Sequence, residues 1–178
     1  MKAATILAAT FGLALAFGPT LALADADSGS NSGAANPTCR RGEVWDSRSH
    51  QCVSQHGSAL PDMVLTDYAY ALAKAQRYDE ALVTLDLLRD PNTAKALNYR
   101  GYATRKLGRV DEGIGYYLKS VTKDPRYAEV REYLGEAYVI KGDVKAAKEQ
   151  LHAIAGICGT NCEQYQHLAA AIADPSKL

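Results

Sequence analysis

Residues 62–159 repeat against themselves, and that periodicity constrains the fold more than any other feature of the chain. Displaced by 34 residues, Ala94 falls on Ala128, Tyr99 on Tyr133, Gly101 on Gly135, Ala103 on Ala137, Gly108 on Gly142 and Val110 on Val144. Displaced by 32, Ala69 falls on Gly101, Ala71 on Ala103, the stretch YDEAL at 78–82 on VDEGI at 110–114, and Leu85 on Tyr117. Three copies follow: 62–93, 94–127 and 128–159, the first two residues short. A fixed period in this range marks a stack of supersecondary units, each burying its apolar face on its neighbours.

Within each copy, apolar residues recur at three and four, which predicts helices. Gly108 and Gly142 are expected to stop the first helix in a left-handed turn, with Gln76 at that place in the first copy. Small residues at Ala69, Gly101 and Gly135, and at Ala81, Gly113 and Ala147, predict close crossing of the paired helices. Asp111 is placed to cap or charge the start of a second helix, and Pro91 and Pro125 to end one. Tyr99, Tyr116, Tyr117 and Tyr133 read as packing residues. After Cys162, the stretch EQYQHLAAAIADP predicts one further helix, with Tyr165, Leu168, Ala169 and Ile172 on one face, which would cap the stack.

The unit with Leu97, Gly101, Gly108, Val110, Gly113, Tyr117 and a closing Asp124-Pro125 resembles the tetratricopeptide repeat. The copy at 128–159 matches through Leu134, Gly135, Tyr138, Gly142 and Ala147 but lacks the proline. Arg100 and Thr104 depart from the pattern, where an apolar residue and an aromatic are usual. The resemblance implies an all-α helix-turn-helix solenoid of three repeats plus a capping helix. It also implies a concave groove lined by first-helix residues: Met63, Thr66, Tyr70 and Lys74, then Lys95, Asn98, Tyr102, Arg105 and Lys106, then Glu129, Glu132 and Glu136. Such a groove suits an extended peptide with charges of both signs, with Asn98 pairing to its backbone. It does not reproduce the family's carboxylate clamp, since Thr66 and Tyr70 stand where that clamp needs Lys and Asn. The alternative is a solvated helix face.

The chain ahead of the repeats has another character. Lys2, an apolar run, Pro19 and Ala22-Leu23-Ala24 predict a secretory signal peptide over 1–24, against a retained membrane helix. With no Cys at the cleavage point, a lipid anchor is not expected. Residues 25–38 are small and polar and read as a disordered linker, followed by a cysteine-bounded loop at 39–53 around Trp45 and a second linker at 54–61. Export to an oxidising compartment, periplasmic or secreted, makes disulfides the default for Cys39, Cys52, Cys158 and Cys162. Three connectivities are open, and the spacing favours Cys39–Cys52 and Cys158–Cys162. Cys39–Cys52 reads as a staple, or as a docking knob or polysaccharide site built on Trp45. Cys158 and Cys162 read as a staple fixing the cap in residues 160–178, or as a thiol–disulfide pair.

The 20 basic and 20 acidic side chains balance, so no global field draws the chain to nucleic acid. No nucleophile motif, phosphate loop, paired catalytic carboxylates or zinc spacing stands out, despite His152 and His167 beside the last cysteines. The sequence therefore predicts no enzyme, no metal and no cofactor. It predicts a scaffold or adaptor of the bacterial cell envelope that holds a protein or peptide, without stable membrane insertion once the signal is removed.

Overall fold

The computed structural model describes residues 37–55 and 60–178. The expected signal segment, most of the first linker and residues 56–59 of the second lie outside them. Seven α-helices follow one another among the described residues: α1 Asp62–Lys74, α2 Tyr78–Leu85, α3 Ala94–Lys106, α4 Val110–Lys123, α5 Ala128–Ile140, α6 Val144–Cys158 and α7 Glu163–Ala173, with a 3₁₀ turn at Pro175–Lys177. Helices pair as α1/α2, α3/α4 and α5/α6 and stack in chain order, with α7 packed on α5 and α6.

Each first helix ends the same way. The N–H of Arg109 donates to the Thr104 carbonyl and that of Gly108 to Arg105; Asp143 and Gly142 bond likewise to Tyr138 and Val139, and Arg77 and Gln76 to Leu72 and Ala73. This closure needs one residue with positive φ, supplied by Gly108 (+84°) and Gly142 (+77°), and in the first copy by Gln76 (+62°). Thr93 and Asp143 cap α3 and α6 by accepting from the N–H groups of Ala96 and Ala146.

One local expectation is corrected. Pro91 does not end α2, which stops at Leu85. The chain after it is held by Asp62 at the start of α1, whose carboxylate accepts from the N–H groups of Arg89 and Asp90. Those two bonds also hold the Asp62 carboxyl below its ordinary pKa. The crossing at Gly101 and Gly113 is as expected, since a Cβ on Gly101 would lie 2.6 Å from the Tyr117 ring. At Gly135 the nearest atoms a Cβ would meet belong to Leu168 of α7.

That contact shows what α7 is. It continues the period of 34, with Ala171 following Ala103 and Ala137, all buried, and Leu168 following the buried Leu134. The cap keeps the register of a first helix of the repeat. Where the first two copies close with Asp90-Pro91 and Asp124-Pro125, the third has Cys158-Gly159 and a disulfide from Cys158 to Cys162 across the turn.

The opposite end is closed by a β-hairpin instead of a free loop. Strand β1, Glu43–Asp46, pairs antiparallel with β2, Gln51–Ser54, placing Trp45 opposite Cys52. The Cys39–Cys52 disulfide ties it, Cys39 and Val44 are buried, and Trp45 is half-buried against the repeat core. The Cys39 N–H donates to the Tyr68 hydroxyl, and Arg77 donates to the Cys39 carbonyl. The loop read as too small for a core shares the core of the first repeat. Trp45, which the docking-knob alternative needs exposed, is half-buried and packs against the repeat core.

Candidate functional site: a tyrosine-walled groove

First-helix side chains meet on one side of the stack around a cavity of about 250 Å³. Tyr70 and Lys74 come from α1, Tyr102 and Lys106 from α3, Glu129, Glu132, Tyr133 and Glu136 from α5, and Glu163, Gln164 and His167 from α7, with Leu178 beside them. The cations enter from α1 and α3 and the carboxylates from α5 and α7. The sign of charge therefore changes along the stack.

Tyrosines form the wall. Tyr70 stacks on Tyr99 with ring centroids 4.4 Å apart, and Tyr102 leans on Tyr133 at 5.0 Å. Burial raises the pKa of the Tyr102 phenol to about 12, and raises those of Tyr99 and Tyr133 as well. These rings stay neutral and present faces to cations. Lys74 lies over Tyr70 and Lys106 over Tyr102, at 5.8 and 5.9 Å. Burial, aided by neighbouring Arg105, pulls the Lys106 ammonium below its ordinary pKa.

Five expected groove residues, Met63, Thr66, Lys95, Asn98 and Arg105, stand elsewhere. Thr66 is buried, and its hydroxyl donates back to the Asp62 carbonyl. Lys95 pairs with Asp67 at 2.6 Å beside a separate small cavity that includes Met63 and Thr66. Asn98 was expected to meet a ligand backbone. It is fully buried, and its amide donates to the Tyr127 hydroxyl and to Glu129. Arg105 is only 3 % exposed. It donates to the Tyr117 hydroxyl and, at 2.6 Å, to Glu136, with the Tyr102 and Tyr133 rings on either hand. Asn98 and Arg105 thus build the groove from beneath. The repeat pattern gives their helix face but not their depth, because Arg100 and Lys106 occupy that same helix and stay reachable.

Glu132 is the most confined of the carboxylates. Its side chain is 7 % exposed, and Oε1 lies 2.9 Å from Nδ1 of His167. Burial first, then the neighbouring charges of Glu136 and Glu129, raise its pKa to about 7 against the opposing His167 hydrogen bond. Glu129 accepts from three neutral donors, Asn98, Tyr127 and Tyr133. Sequence reading missed Glu163, Gln164 and His167, having treated α7 only as a lid. The period carries the missing signal, since His167 lies 34 residues beyond Tyr133, itself 34 beyond Tyr99.

The stacked helix pairs are matched in solved structures. MamA superposes with a TM-score of 0.54 at 18% identity, over 65% of this chain and 68% of its own. The Yersinia enterocolitica type III secretion translocator chaperone SycD gives 0.55 at 16%, over 64% and 84%. The first TPR of Spaghetti (RPAP3), bound to the HSP90 peptide SRMEEVD, gives 0.56 at 16%, over 70% and 100%. This is the tetratricopeptide fold. No protein-family model matches the chain, and no curated protein matches it either. The tetratricopeptide stack here is closed by a disulfide at each end, so both cysteine pairs take part in capping it. No helix among the described residues is long and apolar enough to cross a membrane.

Proposed function

We propose that this protein is a non-enzymatic scaffold of the cell envelope that holds an extended segment of a partner protein in the tyrosine-walled groove. The observation that carries the reading is the groove itself. It joins residues of all three repeats and the cap, changes charge sign along its length, and is walled by faces able to pack side chains. Two structural neighbours point the same way: RPAP3 holds an HSP90 peptide, and SycD has been seen with a peptide of the translocator YopD. Export through the predicted signal peptide supplies the oxidising setting that both disulfides need. The Cys158–Cys162 disulfide lies at the α6–α7 turn, where a staple would fix the entry of the cap.

The test is site-specific photocrosslinking in the envelope. A photoreactive residue at Lys106, in the groove, should capture a partner that one at Lys148, exposed on α6 outside it, does not. Equal capture from Lys148, or capture from there alone, would sink the groove reading.

A further inference from the structure

We propose that the α5–α7 end of this groove is a socket for one lysine or arginine side chain of the bound segment, for which Glu132 exchanges its bond to His167. The inference rests on the groove reading above and specifies the chemistry of the occupant.

Glu132 lies at the inner end of the socket, and an exposed imidazole covers it. The His167 ring is 53 % exposed, and its second nitrogen is 3.8 Å from Glu163. A group able to carry positive charge therefore already sits between two carboxylates at the cavity mouth. A lysine or arginine brings permanent charge to the same place, and more donors than one imidazole.

The walls suit such a group. Arg105, a guanidinium of this chain, is held against the same two rings, Tyr102 and Tyr133, and against Glu136. Glu136 is thereby matched by a permanent cation, whereas Glu129 meets neutral donors and Glu132 meets His167. A metal ion fits less well: among the described residues, the one group of three or more side chains close enough to share an ion is Cys39, Glu43 and Cys52 in the hairpin, where the two cysteines are joined in a disulfide, and not the groove carboxylates.

The experiment pans a display library of random dodecapeptides against the oxidised full chain. Peptides are eluted by competition at the Lys106 crosslinking site. Enriched sequences should carry Lys or Arg at a fixed place. In the best binder, made synthetically, changing that residue to Gln should weaken binding by at least about tenfold in calorimetry. Glu132→Gln should reproduce the loss. His167→Ala should tighten binding, because it uncovers the carboxylate. Should groove-binding peptides lack a basic residue, or tolerate its loss, the socket is refuted and the groove reading survives. If no peptide competes at Lys106, both fall. Circular dichroism of each variant separates lost binding from lost folding.

Discussion

At the scale of single residues, the three copies solve one turn with unequal chemistry. Gln76 takes the left-handed conformation that Gly108 and Gly142 take at the corresponding turns, and a side chain there costs about 1 kcal/mol. Gln76→Gly should therefore stabilise the protein by about 0.5–1 kcal/mol, and Gly108→Ala should destabilise it by about as much. Urea denaturation reads both, and the same sign for the two would overturn the account. Glu132 carries a second prediction. Its carboxyl is raised to about 7 in the fold against an ordinary 4.5, so the folded state binds the proton more tightly. That contribution is fully present below about pH 4.5 and is lost as pH rises through about 7. Between pH 5 and 8 the wild type should lose about 1–3 kcal/mol that Glu132→Gln does not lose, with Glu129, Glu136, Glu163 and His167 left in place. Parallel curves for the two proteins would show that Glu132 titrates normally. The turn at Gln76 was legible from the period, but the titration of Glu132 was not, since sequence placed Glu132 on a face and said nothing of its depth.

Among the elements, small residues decide how closely helices cross, and not all are equal. Gly101 and Gly115 sit in the same helix pair, α3/α4. A Cβ at Gly101 would collide with the fully buried Tyr117 ring, whereas one at Gly115 meets nothing within 4 Å. Gly101→Ala should cost about 1–3 kcal/mol through overpacking. Gly115→Ala should gain about 0.5–1 kcal/mol, because alanine is the better helix former. Thermal melts of the two variants moving in one direction would contradict this packing. The helix order and the crossing at Gly101 were legible because the period repeats them. The short α2 was not, because it depends on Asp62 bonding to Arg89 and Asp90. The hairpin escaped too: β1 buries Val44 and Asp46, but β2 shows little of the alternation that marks a strand. Its stability is borrowed from Tyr68 and Arg77 of the first repeat.

For the whole molecule, stability is set by what closes each end. A stack of repeats is held by neighbour contacts, so its terminal units fray first unless covered. Here the covers differ. One is a hairpin closed by a disulfide of sequence separation 13, and the other is a helix of the repeat period closed by one of separation 4. In the chain-entropy account, a loop of the first size is worth about 3 kcal/mol, and the shorter one less. Replacing Cys39 and Cys52 together by Ser should loosen the hairpin and expose Tyr68 beneath it. Hydrogen exchange should then quicken in α1 and α2 and leave α5 to α7 protected. Replacing Cys158 and Cys162 should do the reverse, loosening α7 from Gly135 and moving His167 off Glu132. The second variant carries the functional consequence, since α7 supplies one wall of the groove. It should bind groove peptides more weakly even though neither cysteine touches them, because losing the whole α7 wall outweighs the uncovering of Glu132, while the first variant should keep its affinity. Uniform acceleration of exchange in both variants would mean that the stack unfolds as one unit. The two caps would then have no separate roles.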